Sequence, residues 1–244
     1  MARRLRPAEY VLVGLSVVAA LVCARLCVWQ LSRLHERRVS NTHVAARLAE
    51  PPLAVDQVPS DTAALRFRRV HLRGAFDYAR EVVLVNRTRN GSPGVNIFTP
   101  LKIAGRDTAV LVNRGWVYAP DGIRVDLTRW HEGDSLDAIG YAEPPQAPGA
   151  GVVHVTSRAN GYRWLDIGAI RAATPYPIAS FVVVLDDTAA STAHPPRVSP
   201  PPLDEGPHLS YAIQWFCFAL IAVVGMIFFI RRARRSTADD DFRL

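Results

Sequence analysis

The long middle of the sequence has no cysteine. Cys23, Cys27 and Cys217 all fall inside two apolar runs near the ends. No disulfide can brace the stretch between those runs, so about 175 residues must rely on a hydrophobic core, which a chain of that length can build. Catalytic signatures are missing as well. There is no G-x-S-x-G elbow, no phosphate-cradling glycine loop, no H-E-x-x-H and no dinucleotide fingerprint after a strand. The seven histidines (35, 43, 71, 131, 154, 194 and 208) form no pair at i, i+3 or i+4. These absences argue against an enzyme. Nor does the middle carry the basic face that nucleic acid requires. The net charge is +7, yet residues 31–208 hold 20 basic and 18 acidic side chains, a net of +2.

The excess basicity sits at the two ends and reads as a topology signal. Arg3, Arg4 and Arg6 precede the first apolar run, Tyr10–Gln30. Residues 209–230 carry no charge, and Arg231, Arg232, Arg234 and Arg235 follow at once. Each run is long enough to cross a hydrocarbon layer of about 30 Å as a helix. Arginine clusters mark the cytoplasmic ends, so both tails are expected inside and the middle outside. No small-residue cleavage site follows the first run, which is therefore read as an uncleaved anchor. Gln30–Glu50 keeps a helical spacing of apolar residues and continues that helix until Pro51-Pro52 stops it.

The middle alternates like strands. Residues 67–76, 81–88, 95–103, 108–117, 135–141 and 180–185 are rich in β-branched side chains and are separated by turn chemistry such as Asn90-Gly91-Ser92-Pro93-Gly94. Pro100 within the third run predicts an edge or a bulge. A loop is expected over Pro144–Gly151 and a short helix over 165–173. His194–Pro207 is proline-rich and extended. The expected fold class is thus an α+β membrane protein, two transmembrane helices flanking one extracytoplasmic antiparallel-sheet domain. Its parts are an N-tail (1–9), a first span (10–30), the domain (31–208), a second span (209–230) and a C-tail (231–244).

Three sets of residues could carry chemistry. His208, Tyr211 and Trp215 recur at i, i+3 and i+7, so they share a helix face where the second span begins. They read either as an interfacial cap with its aromatic belt or as a ligand with aromatic walls. Arg87 and Arg114 stand in the similar phrases LVNRTRNG and LVNRGWV. They read either as solvated sheet charges or as forks for carboxylates, a haem propionate or a partner's acidic residue. Cys23 and Cys27 lie one turn apart. They are small apolar residues of a span or, less simply, a thiolate pair for Cu(I). Trp116, ending the strongest strand, is expected in the core.

A set of short motifs runs in order along the chain: Trp29-Gln30-Leu31-x-Arg33, Arg69-Val70-x-Leu72-x-Gly74-x-Phe76-Asp77, Asn86-Arg87-Thr88, Gly91-x-Pro93-Gly94, Thr99-Pro100-Leu101, Leu111-Val112-Asn113-Arg114-Gly115-Trp116-Val117, and His208-Leu209-x-Tyr211-Ala212-x-Gln214-Trp215-Phe216. This series resembles the SURF1 family, membrane factors for assembly of haem–copper cytochrome oxidase. Cys27 stands where that family usually has glycine. The resemblance implies a non-enzymatic role in maturing cytochrome c oxidase subunit I in a bacterial inner membrane. It implies binding of haem a, with His208 as the residue for the iron and Trp29, Tyr211, Trp215, Arg87 and Arg114 around it. Subunit I, the lipid bilayer and haem a synthase are the partners it suggests. The alternative it leaves is a scaffold that clamps subunit I and holds no haem.

Overall fold

The computed structural model describes residues 6–58, 62–144, 154–186 and 194–235. The chain divides into two compact units. One is Val44–Pro202; the other comprises the segments on either side of it.

In the second of these, α1 (Pro7–Ala49) and α3 (His208–Arg235) are helices long and apolar enough to cross a membrane. At 43 residues α1 is about 65 Å long, twice the depth of a hydrocarbon layer, so the helix does run on through the spaced apolar residues after Gln30. The less exposed side chains of α3 fall at His208, Ala212, Trp215, Ala219, Ala222, Met226 and Phe229. Those of α1 include Val13, Ser16, Ala20, Cys23, Cys27, Gln30 and Leu34. Both sets alternate steps of four and three, the spacing of a seam between paired helices. Cys23 and Cys27 belong to that seam as small residues. Past the seam, Arg38 forms a two-pronged pair with Glu205, while Asn41 and Arg37 donate to the Asp204 carbonyl.

The Val44–Pro202 unit is built on eight strands: β1 (Leu53–Ala54), β2 (Arg69–Phe76), β3 (Val82–Arg89), β4 (Ser92–Ile103), β5 (Ala109–Tyr118), β6 (Ser135–Glu143), β7 (Gly161–Tyr162) and β8 (Ile178–Leu185). The sheet is mixed, not antiparallel. β1–β2, β3–β7 and β5–β8 run parallel. β1 and β7 are too short to leave an alternating pattern, and the direction in which β8 joins β5 is set by a crossover through the short helix α2 (Ile167–Ala172). Asp166 caps α2 by accepting from Ala169 N–H.

Five of the strands close on themselves. β2, β6, β8, β5 and β4 pair in turn, and β4 pairs back with β2 at Gly74–Phe76 against Leu101–Ile103. Inward side chains fill this small barrel: Val70, Leu72, Leu101, Val110, Val112, Phe181, Val183 and Leu185. Gly74 takes the inward position at the closure, where a Cβ would run into the Lys102 carbonyl. Outside the barrel, α2 covers Leu84, Phe98, Leu111 and Val182, and Val44 and Leu48 from the end of α1 pack on Phe67, Tyr141 and Val184.

Pro100 lies in a central strand, which corrects the edge expectation. The ladder to β3 ends at Phe98 and the ladder to β2 starts at Leu101, so Pro100 falls in the gap between them. Its carbonyl accepts from Asp77 N–H on that side. The missing N–H points the same way, where no ladder partner needs it.

The proline-rich strap is pinned to the end of β5, where Trp116 N–H donates to the Pro196 carbonyl. Gly115 there has φ 147°, and a Cβ would come within 2.5 Å of the Pro196 oxygen. Gly115→Ala should therefore cost about 1–3 kcal/mol from backbone strain alone, with the clash in addition. Gly105→Ala, also at positive φ but with nothing within 4 Å, should cost less. Denaturant midpoints of the two variants compare them directly, and equal midpoints would show that the strap does not press on β5.

Candidate functional site

His208 is the first residue of α3, preceded by Pro207, which cannot offer an N–H and presets the chain for the first turn. Its Nδ1 lies 2.9 Å from Gln30 Oε1. Gln30 is only 9% exposed, and Leu34 and Ala212 beside it are buried as well. A carboxamide oxygen only accepts, so Nδ1 carries a proton, and the tautomer this bond selects has its lone pair on Nε2. Nε2 makes no hydrogen bond among the described residues, and Gly206 lies on its side of the ring, where a Cβ would come within 3.6 Å of it. An imidazole oriented at one nitrogen by a neutral acceptor, with the other nitrogen free, is how a protein presents histidine to a metal.

The expected aromatic face is only partly assembled. Trp215 lies on the same seam as His208, edge-on to Phe218 at 5.9 Å. Tyr211 is 45% exposed and Trp29 44% exposed, so they flank the seam. The reason is helix geometry. Successive residues are about 100° apart, so turning Gln30 inward turns Trp29 aside, and the i+4 residue Ala212 takes the place at the seam. Trp29 instead lies under the Arg33 guanidinium at 5.8 Å. Gln30 is the site residue that single-residue reading missed; its signal was a glutamine directly after the interfacial tryptophan of an otherwise apolar span.

The two arginines of the similar phrases part company. Arg114 is fully buried (0% exposed) in the Val44–Pro202 unit. Its Nη2 is 2.5 Å from Glu81 Oε1, its Nη1 is 3.0 Å from Glu132 Oε1, and its Nε donates to Thr99 Oγ1 at 2.8 Å. It also faces the Tyr78 ring at 5.1 Å. Glu132 is shared with Arg197 from the strap, whose Nη1 donates to the Arg114 carbonyl. The expectation that Arg114 offers its fork to a ligand is thus corrected: its carboxylates are internal and no surface is left. Arg87 keeps an open side. A bulge in the β3–β4 ladder between Leu84 and Arg87, with Asn86 at φ 55°, re-aims it. Its Nη2 donates to the Arg163 carbonyl at 2.6 Å and its guanidinium stands 5.8 Å from the Trp164 ring. Burial lowers its pKa. Trp116 is half-buried rather than core; its Nε1 donates to the Arg87 carbonyl.

No group of three or more His, Cys, Asp or Glu suited to a metal occurs among the described residues. Cys23 and Cys27 are free thiols.

Two long apolar helices, one with an oriented histidine at its first turn, and a small closed barrel braced by a buried ion network define a protein of two candidate membrane spans and one globular domain. The SURF1 family model matches residues 17–220, and the chain belongs to that family. Among its relatives are a SURF1-like protein of Monosiga brevicollis, 24% identical over 222 residues and covering 84% of this chain and 82% of the relative. A SURF1-like protein of Drosophila melanogaster is 27% identical over 220 residues, 77% of this chain and 67% of the relative. An uncharacterised SURF1-like protein of Mycobacterium tuberculosis is 26% identical over 254 residues, 96% of this chain and 89% of the relative.

Removing one side of a buried ion pair strands the other, at a cost of about 3–5 kcal/mol. Arg114→Met should therefore lower stability by that order, visible in urea unfolding of the detergent-solubilised protein. The Arg114→Met/Glu81→Met double variant should recover part of the loss. Additive losses in the double variant would contradict the network.

Proposed function

We propose that this protein is a non-enzymatic assembly factor for haem–copper cytochrome oxidase, holding haem a at His208 for delivery to subunit I. Family membership supports the assembly role. The observation that carries the haem role is the bond from His208 Nδ1–H to Gln30, which leaves Nε2 as a donor of fixed direction. Haem iron takes an axial imidazole in just this form. Trp215 on the seam and Trp29 and Tyr211 on its flanks supply apolar and aromatic surface beside that nitrogen. In this reading the haem is cargo. The chain's part is to orient one nitrogen and to shield it from water between the helices.

The hydropathy and charge of the two helices support a placement in the bacterial inner membrane with both ends cytoplasmic and the barrel outside. A reporter active only outside the cytoplasm should be active when inserted within Pro195–Pro202 and silent when fused after Arg235. Activity at the C-terminal fusion would overturn this placement.

Haem content tests the cargo role. Protein purified from cells that make haem a should carry haem, and His208→Ala at equal abundance should lose most of it. Gln30→Leu should retain less haem than wild type and shift its spectrum. Equal haem content and an unchanged Soret band in His208→Ala would remove His208 as the ligand. Wild type free of haem, with oxidase assembly still dependent on the protein, would favour a scaffold that clamps subunit I.

A further inference from the structure

One face of the barrel unit combines arginines that have no ion pair among the described residues with one exposed and two half-buried aromatic rings. Arg87, Gly94 and Tyr118 lie directly across from one another on β3, β4 and β5. Directly paired residues project to the same side of a sheet. Arg89, two residues along β3, joins them on that side. The Trp116 indole lies over Gly94, between Arg87 and Tyr118, and Trp164 stands beside Arg87.

Two properties of this face bear on binding. Tyr118 is 57% exposed, and within the Val44–Pro202 unit no other large apolar side chain among the described residues is as exposed. Arg87, Arg89 and the neighbouring exposed Arg163 form no ion pair with any carboxylate among the described residues; other arginines of the unit, Arg80, Arg106 and Arg129 among them, share that state, but Arg87 and Arg89 stand together on the sheet face that carries Tyr118. Arg87 uses Nη2 on a backbone carbonyl, while Nη1 has no hydrogen-bond partner among the described residues and Nε is buried without one. Arg89 makes only a 3.5 Å contact with the Pro196 carbonyl. A half-buried guanidinium pays part of its desolvation penalty already, so it gains more from an incoming anion than a solvated one does. Arginine and aromatic side chains together are the composition of interface anchors.

We propose that this face is a docking site for an acidic protein segment, its carboxylates pairing with Arg87 and Arg89 and its chain packing on Trp164 and Tyr118. The charge is complementary to an acidic partner and to no basic one, and the rings offer the flat apolar surface that a peptide chain covers. This proposal does not rest on the haem reading, which uses His208, Gln30, Trp215, Trp29 and Tyr211 and none of the residues of this face.

The test uses the full chain in nanodiscs of zwitterionic lipid, with fluorescein-labelled octaglutamate as probe and octaglutamine as control, read by fluorescence anisotropy. Wild type should bind octaglutamate and not octaglutamine, and binding should weaken as salt rises. Arg87→Gln/Arg89→Gln should weaken octaglutamate binding at least tenfold, and Tyr118→Ala several-fold. Arg87→Lys, which keeps the charge and is the variant least able to disturb the fold, should fall between wild type and the double variant because the fork is lost. Unchanged affinity in the double variant, with an unfolding midpoint equal to wild type, would overturn the proposal. So would the absence of octaglutamate binding by wild type. Selective binding of this face to phosphatidylglycerol vesicles, lost in the double variant while octaglutamate is ignored, would reassign it to lipid headgroups.

Discussion

A polar group taken out of water must find its partner inside the protein, and each unit of this molecule is arranged around one such pairing. In the barrel unit it is Arg114, a full positive charge with no exposed surface, whose donors end on Glu81, Glu132, Thr99 and the Trp130 carbonyl. With Arg114 itself on β5, the network joins five places: the residue before β3, β4, β5, the stretch before β6 and, through Arg197, the strap. The network therefore ties together segments that hydrophobic packing alone would leave independent. In the helical unit the pairing is Gln30 with His208. A buried carboxamide and a half-buried imidazole are bonded across the seam, and the direction of that single bond decides which imidazole nitrogen is free.

The same constraint separates an internally paired arginine from one left without a carboxylate among the described residues. Arg87 and Arg114 occupy similar phrases, but the chain supplies Arg114 with carboxylates and gives Arg87 none among the described residues. The difference arises from backbone shape. Asn113 lies in the ladder and its Oδ1 accepts from Gly115 N–H, so Arg114 points inward. Asn86 sits at positive φ in a bulge, so Arg87 is turned to the surface. The outcome is an Arg114 whose charge is buried and paired, and an Arg87 near the surface with no carboxylate partner among the described residues.

Much of this was legible in the sequence. The six principal strands, the short helix and the long continuous α1 follow from alternation, turn residues and helical spacing, because local pattern and tertiary burial agree there. Strand direction and barrel closure were not legible. Closure depends on Gly74 meeting Ile103 across 29 residues, and the parallel joining of β8 to β5 depends on the path of α2. Neither leaves a mark on local spacing. At the site, the helical periodicity placed His208 and Trp215 on one stripe correctly and Tyr211 too generously, since the narrow seam of a helix pair admits Ala212 in its place. Gln30 was part of a motif but had no assigned role, because a hydrogen bond between residues 178 apart in the chain has no sequence signature.

The measurement that bears most directly on the account is the protonation of the two His208 nitrogens. In uniformly unlabelled protein with 15N-histidine incorporated, and His208 assigned by comparison with His208→Ala, one-bond proton coupling identifies the nitrogen that carries hydrogen. In the neutral ring the proton is expected on Nδ1 with a bare Nε2, reverting in Gln30→Leu to the mixture of tautomers of a free imidazole. A proton fixed on Nε2 in wild type, or a spectrum indifferent to Gln30→Leu, would contradict the account.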